Sequence, residues 1–382
     1  MVQNKGKVWA RRLAALAVAG SACLAQASGW VVGQVAPQSG ASAKQGRAYA
    51  QGMLLYFDQV NLAGGVQGRN IELVTMDDAG QASNTVEKTK SLIREQKPLV
   101  LAGYMGNQSV QALLDSKLLD SAQLSLVGYQ SSDTRVSSAR ALFATRAGLK
   151  EQIGKIASHM NIVGEKRVAL VYDERTDGKE LAALVAASLN AAGPQLVSTQ
   201  ALGAGRKREV DAALAELHKA QPDVQSVLIV AASPATAAFV EAYRMDGGRA
   251  QLYALAEADI EQLSTRLPAQ YMTGLSIAQV VPNPYKISGS LNKEFQDTMK
   301  TIGKPADLGV SFTMMEGFVN AKVIVEAMRR TKPLTPERLT QTLRSMDAYD
   351  AGGYWVGFPS GSQTGSKYVD LSMINNSGRI TQ

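Results

Sequence analysis

The chain has 382 residues, 45% of them hydrophobic, which excludes a disordered protein and leaves room for two domains with cores of their own. The formal charge of +7 overstates the basic character, because the first 27 residues carry four of the 40 Lys and Arg and none of the 33 acidic residues. The rest of the chain has 36 basic against 33 acidic residues, a charge of +3, with the basic side chains scattered along it. We therefore expect no nucleic-acid partner.

The N-terminal segment has the three parts of a secretory signal peptide. Four basic residues precede an apolar run from Leu13 to Leu24, and the small side chains of Ala25 and Ala27 suit a signal peptidase. The run is shorter than the roughly 20 residues of a permanent transmembrane helix. Residues 1–27 are thus predicted to be cleaved after Ala27, leaving a periplasmic protein. Two alternatives stay open: an N-terminal membrane anchor, and lipidation at Cys23, the sole cysteine.

Beyond residue 28, short β-rich runs alternate with longer amphipathic stretches, a pattern typical of parallel sheets covered by helices. The first set of strands, with helices between them, predicts one doubly wound lobe with strands at 30–35, 71–76, 99–103 and 124–127 and helices at 45–63, 81–96 and 109–119. A second lobe of the same type is predicted by strands at 168–172, 196–200, 227–232, 252–256 and 272–278 and helices at 150–162, 178–192, 207–219, 234–246 and 260–267. Residues 288–344 are mostly helical, and a Gly-rich segment then precedes a strand-like run at 368–373. The predicted fold class is α/β, with two doubly wound lobes.

Signatures of catalysis are nearly absent from the sequence. His159 and His218 each fall within a predicted amphipathic helix, with no carboxylate or serine set to orient them. No nucleophile elbow, zinc-protease motif or phosphate-binding loop occurs. Asp77 and Asp78 follow a strand, where loop capping is favoured over cation binding. We therefore predict a binding protein and not an enzyme, with no cofactor and no metal.

Candidate binding residues follow from where ligands bind in open α/β sheets, which is at the loops after the carboxyl ends of the strands. Asn107, Gln108 and Ser109 lie at a predicted helix start, where free backbone N–H groups suit a carboxylate. Ser131 and Ser132 offer a second pair of hydroxyl groups in a neighbouring loop. Loop capping is the alternative role for each of these side chains.

Nine segments stand in a specific order and spacing along the mature chain: GQVAPQSG at 33–40, VNLAGGVQG at 60–68, IELVTMDD at 71–78, LAG at 101–103, FATR at 143–146, VALVYD at 168–173, YALAE at 253–257, VVPNP at 280–284 and YVDLSMI at 368–374. Together they resemble the leucine/isoleucine/valine-binding protein family, which are type I periplasmic binding proteins serving ABC transporters. The resemblance implies two lobes joined by three hinge crossings, near residues 147–148, 278–279 and 350–353. Lobe 1 would comprise residues 28–147 plus 280–349, and lobe 2 residues 148–279 plus 354–382.

The same resemblance implies roles for individual residues. A hydroxyl at Ser132 would hold a ligand carboxylate, and Glu257 would pair with a ligand ammonium. Asn107 stands where the family has a Ser, and Asp177 and Gln45 stand where it has aromatic side chains. These departures make the site more polar and argue against a branched aliphatic ligand. Asp177 would then join Glu257 at the cationic end of the ligand.

Two tyrosines, Tyr104 and Tyr129, flank the predicted cleft loops and are candidates to stack on a ligand, with a half-buried structural role as the alternative. The resulting hypothesis is a monomeric periplasmic receptor that closes on an amino acid, amide or small carboxylate and delivers it to an ABC transporter permease in the inner membrane. The alternative, from a different functional class, is a ligand-sensing subunit of a signalling system with the same fold.

Overall fold

The computed structural model describes residues 29–175, 177–220, 224–303, 308–359, 364–375 and 380–381. The predicted signal peptide, Cys23 included, lies outside these ranges. Within them, no helix is both long enough and apolar enough to cross a membrane.

A first sheet carries five parallel strands in the described part of the chain, in the order β2-β1-β3-β4-β5. They are β1 (Trp30–Ala36), β2 (Ile71–Asp77), β3 (Val100–Met105), β4 (Leu126–Gln130) and β5 (Leu142–Phe143). The helices between them are α1 (Ala43–Leu62), α2 (Ala82–Gln96), α3 (Asn107–Asp115) and α4 (Leu118–Ser121). The helix predicted at 109–119 is interrupted at Lys117, whose φ of +57° is left-handed.

A second sheet repeats this arrangement with β6 (Arg167–Tyr172), β7 (Gln195–Ala201), β8 (Ser226–Val230), β9 (Gln251–Ala254) and β10 (Leu275–Gln279), which are parallel. Its helices are α5 (Leu149–Ile162), α6 (Gly178–Ala192), α7 (Lys207–Ala220), α8 (Ser233–Met245), α9 (Ile260–Arg266) and α10 (Ala269–Met272). The alternation predicted from sequence is therefore confirmed in both halves of the chain.

The C-terminal part of the chain contributes to both sheets. Helices α11 (Ser290–Ile302) and α12 (Phe312–Arg330) pack on α1, and α13 (Pro336–Arg344) packs on α12. A small hairpin of β11 (Tyr349–Asp350) and β12 (Trp355–Val356) follows. The chain then adds β13 (Asp370–Ile374) antiparallel to β10, and β14 (Ile380–Thr381) antiparallel to β13. The limits of the two lobes given above stay a prediction.

Helices α1 and α12 pack closely along their length, and two glycines permit the contact. A Cβ on Gly52 would lie 1.9 Å from the carbonyl oxygen of Met314, and a Cβ on Gly317 would lie 2.1 Å from that of Tyr49. No side chain fits at either position, so the two helix backbones touch. This contact fixes α12, and with it Glu316, against the first sheet.

Candidate ligand-binding site

The loops after the carboxyl ends of the parallel strands of both sheets border one cleft of about 330 Å³. From the first sheet, the lining comes from residues at or after the ends of β1, β2, β3 and β4. From the second sheet, it comes from residues that follow β6, β7, β8 and β9. This volume lies at the lower end of the roughly 300–1,000 Å³ range of small-molecule sites. The cleft is therefore the size and in the place that a doubly wound fold predicts for a small ligand.

The first wall of the cleft is built around the start of α3. Gly106, with φ +96°, turns the chain into the helix, so that Asn107, Gln108 and Ser109 line the cleft. The Asn107 side-chain oxygen accepts a hydrogen bond from the backbone N–H of Ser132 at 2.8 Å. Ser109 is buried, and its hydroxyl accepts a hydrogen bond from Thr85 at 2.9 Å. This wall presents amide and hydroxyl groups together with a helix N-terminus, a combination suited to an anionic group.

The side chains of the two serines in the second predicted loop differ in whether they line the cleft. Ser132 is buried and lines the cleft. Ser131 does not line it; its hydroxyl donates to Asn107 at 3.0 Å and accepts from the backbone N–H of Asp133 at 3.2 Å. The prediction that Ser131 faces the ligand is thus not supported by the geometry, since neighbouring residues in extended chain point to opposite sides.

Both tyrosines were placed wrongly. Tyr104 and Tyr129 have relative exposures of 0% and 5% and belong to the apolar core beside the first sheet. The hydroxyl groups of Tyr104 and Thr89 form a hydrogen bond of 2.9 Å. Neither ring lines the cleft, so neither is available to stack on a ligand there.

Asp177 is also corrected by the structure. Its carboxylate is buried and accepts hydrogen bonds from Arg175 at 2.6 Å and from the backbone N–H of Thr134 at 2.7 Å. Burial alone would raise the pKa of Asp177, but the hydrogen bonds from Arg175 and Thr134 lower it to about 2. Because Thr134 follows a strand of the first sheet and Asp177 a strand of the second, this carboxylate joins the two halves and does not line the cleft.

Glu257 lies where the sequence predicted, in the loop after β9, and lines the cleft. Its Oε1 atom accepts a hydrogen bond from Arg146 at 2.9 Å. Its Oε2 atom is buried and has no hydrogen-bond partner among the described residues. The carboxylate is therefore held by one oxygen and offers the other.

Sequence reasoning missed a chain of hydrogen-bonded side chains at the cleft, three of which line it. Gln45 donates to Gln130 at 3.0 Å, and Gln130 donates to Glu316 at 3.0 Å. Arg146 donates to Glu316 at 3.1 Å and to Glu257. We call these five residues the cleft network. Burial raises the pKa of Glu316, although Arg146 opposes the shift.

The cleft network sets one guanidinium, that of Arg146, against two carboxyl groups, those of Glu257 and Glu316. Its signal in the sequence was Glu316, the one acidic residue in the first 14 residues of α12, 312–325, which are otherwise mostly apolar. An isolated buried acid in such a helix requires a partner. The pairing itself spans 170 residues of sequence, which no local pattern reveals.

Asp173 was missed as well. It follows β6 and lines the cleft, and its Oδ2 atom accepts a hydrogen bond from the backbone N–H of Ala232 at 2.9 Å. Its Oδ1 atom is buried without a hydrogen-bond partner in the described part of the chain. Burial raises the pKa of Asp173 to about 6, the negative charge of Glu257 adds to the rise, and Arg175 opposes it.

The aspartates after β2 have the capping role that the sequence favoured. Asp77 accepts backbone N–H hydrogen bonds from Gln38 and Ala79, both at 2.8 Å, and Asp78 accepts one from Gly80 at 2.8 Å. Across the described ranges, no group of three or more His, Cys, Asp or Glu side chains is arranged to hold a metal ion.

The chain belongs to the periplasmic binding protein family, whose model matches residues 29–376. A substrate-binding periplasmic protein from Ralstonia solanacearum has a similar structure, with a TM-score of 0.84 and 32% identity over 92% of this chain and 99% of that one. The type I fold of the family, with two α/β lobes, is confirmed, as is the resemblance to the leucine/isoleucine/valine-binding group.

Two relatives from Pseudomonas aeruginosa are similar over part of the sequence. An amino acid binding protein is 29% identical over 46% of this chain and 48% of its own length. A leucine-, isoleucine-, valine-, threonine-, and alanine-binding protein is 26% identical over 55% of this chain and 56% of its own length. The chain thus spans about half the length of these curated relatives, and what they bind is carried over only as a proposal.

Proposed function

We propose that this protein is the extracytoplasmic solute-binding subunit of an ABC importer and binds a small zwitterionic compound of the amino-acid class. The observation that carries the proposal is the contrast between the two walls of the cleft. The first wall presents neutral donors and a helix N-terminus, and the second presents carboxylates. A ligand with one anionic and one cationic end fits between them.

In this proposal Asn107, Ser109 and Ser132 hold the anionic end of the ligand, and Glu257 meets the cationic end. Because these residues come from the two different sheets, only a closed cleft satisfies both ends at once. Ligand binding would then favour the closed form through contacts that neither half makes alone. The names of the Pseudomonas aeruginosa relatives support an amino acid as the ligand.

A thermal-shift screen of the purified protein against amino acids, uncharged amides and small carboxylates tests the proposal. A ligand that binds only the folded protein increases its free energy of unfolding, by about 2.7 kcal/mol when the ligand is present at 100 times its Kd. The midpoint of thermal unfolding rises accordingly. We expect at least one amino acid to do so. A screen in which no member of the three classes shifts the midpoint would contradict the proposal.

A matched pair of variants tests whether the ligand sits in the cleft. Ser132→Ala removes a hydroxyl that lines the cleft, and Ser131→Ala removes the neighbouring hydroxyl, which does not. Both hydroxyls bond to Asn107, so each variant removes one hydrogen bond to the same side chain. We expect Ser132→Ala to weaken binding by about tenfold, as for a lost hydrogen bond to a charged group, and Ser131→Ala to leave affinity within about threefold. Equal losses would place the ligand elsewhere.

The import role, the location and the absence of catalysis rest on the family, which is one of solute-binding proteins. A pull-down from membranes distinguishes an importer permease from the kinase or chemoreceptor that a sensor would recover. Intact-mass measurement on the exported chain tests cleavage after Ala27 against a lipidated Cys23.

A further inference from the structure

The second wall of the cleft has more acidic side chains than Glu257, the one that the proposed function assigns to a ligand ammonium. Asp173, Glu174 and Glu257 all line it. Among the described residues, no Lys, Arg or His lines the cleft. Two guanidinium groups lie nearby without lining the cleft: Arg146 is shared between Glu257 and Glu316, and Arg175 pairs with Asp177.

Asp173 and Glu257 share one arrangement. Each carboxylate has one oxygen fixed by a hydrogen bond, from the backbone of Ala232 in one case and from Arg146 in the other. Each has its second oxygen buried and without a partner in the described ranges. A buried carboxylate oxygen that accepts nothing costs free energy, so a donor supplied by the ligand would stabilise both groups.

We propose that Asp173 is a second anionic anchor of the cleft, so that the ligand carries a protonated amino group shared between Asp173 and Glu257. This inference rests on the proposed function and narrows it, because a compound without an amino cation leaves the negative charge of the two carboxylates uncompensated. It selects amino acids and related amines over uncharged amides and simple carboxylates. Two carboxylates discriminate in this way more strongly than one.

Titration calorimetry of the full-length protein tests the inference with three probe sets: the 20 L-amino acids, their N-acetyl derivatives, and acetamide with acetate. The N-acetyl derivative keeps the carboxylate and loses the amino cation. We expect the tightest amino acid to bind and its N-acetyl derivative to bind at least about 100-fold more weakly. An N-acetyl compound, acetamide or acetate that binds as tightly would overturn the inference and leave a solute-binding function standing. No binding in any set would instead remove the proposed function.

The variant test uses Asp173→Asn against a charge-matched control. The amide oxygen of Asn can still accept the hydrogen bond from Ala232, so the loop keeps its tie. Asp211→Asn removes the same charge from an exposed position on α7. We expect Asp173→Asn to weaken amino-acid binding by about 10- to 100-fold and Asp211→Asn to leave it within about twofold. Equal affinities for the two variants would show that Asp173 serves only its own loop.

A measurement on the unmodified protein keeps the inference testable if Asp173→Asn fails to fold. Burial and Glu257 raise the pKa of Asp173 to about 6, with Arg175 opposing. Binding of a cation beside it ionises the group, so at pH 6 about half a proton is released per ligand bound, and almost none at pH 8. Calorimetry in two buffers of different ionisation enthalpy reads this release. A proton release that does not decline between pH 5 and pH 8 would overturn the inference.

Discussion

Arg146 is the residue on which the cleft network depends, and replacing it with Met gives the sharpest test of that network. Met keeps a long unbranched side chain and removes the charge. The guanidinium is 6% exposed, and it makes hydrogen bonds of 2.9 and 3.1 Å to Glu257 and Glu316. Each charge-assisted bond contributes about 1.5–3 kcal/mol, and loss of one partner of a buried ion pair costs about 3–5 kcal/mol. We expect Arg146→Met to lower the free energy of unfolding by about 3–5 kcal/mol at pH 8.

The cost of this substitution should depend on pH in a defined direction. Burial already raises the pKa of Glu316 while Arg146 opposes the rise, so removing Arg146 raises that pKa further. A carboxyl whose pKa is raised by folding favours the folded state at low pH and loses that contribution as pH increases through its folded pKa. The destabilisation by Arg146→Met should therefore be smaller at pH 5 than at pH 8.

Urea unfolding followed by tryptophan fluorescence at both pH values measures these effects. Arg140→Met, at an exposed position close by in sequence, is the matched control and should change stability by no more than about 0.5 kcal/mol. Adding Glu257→Gln and Glu316→Gln to Arg146→Met should recover most of the loss, because no unpaired charge remains. A loss below about 1 kcal/mol at pH 8, or no recovery in the triple variant, would refute the argument.

Two further predictions concern buried contacts outside the cleft. Burial, and then the charge of Asp259, raise the pKa of Glu261 to about 8, so the free energy of unfolding should fall as pH increases from about 4.5 towards 8. In urea unfolding, Glu261→Gln should make this fall with pH smaller. An unchanged pH dependence in the variant would contradict the role given to Glu261. Gly317→Ala should lower the free energy of unfolding by about 1–3 kcal/mol, because the added methyl group forces α1 and α12 apart. The control, Gly154→Ala, lies in open space on α5 and should raise the thermal midpoint of unfolding. A Gly317→Ala variant as stable as the unmodified protein would disprove the close contact.

Most of the helices and strands could be predicted because each has a clear periodicity and is bounded by Gly, Pro or polar turns. The short strand β5, the β11–β12 hairpin and β14 were missed, since two-residue strands contain no alternation to detect. Their pairing is decided by neighbouring strands rather than by their own residues.

The structure places some of the predicted site residues at the cleft and others away from it, and the differences have physical causes. Asn107 and Ser132 follow strands whose carboxyl ends meet at one edge of the sheet, whereas the role of Glu257 was implied by the family resemblance; all three line the cleft. Tyr104 was misplaced because a parallel strand is buried on both faces, so that its sequence does not tell which side chains face the cleft. Asp177 follows a strand too, but Arg175, two residues before it, holds its carboxylate, which bonds Thr134 of the other half.

Residues that act through partners far away in the chain could not be predicted from the sequence. Arg146 and Glu316 are 170 residues apart, and their ion pair exists only because α12 returns to the first sheet. Asp173 was visible as a residue after a strand, yet only the structure shows that one of its oxygens is fixed by Ala232 and the other is unpaired.

A crystal structure of the protein with the tightest amino acid of the calorimetric panel tests the central claim most directly. The claim predicts one molecule in the 330 Å³ cleft, with its carboxylate within hydrogen-bond distance of Asn107, Ser109 or Ser132 and its amino group within that distance of Glu257 and Asp173. A ligand bound outside the cleft, or bound there with its two ends reversed, would contradict it.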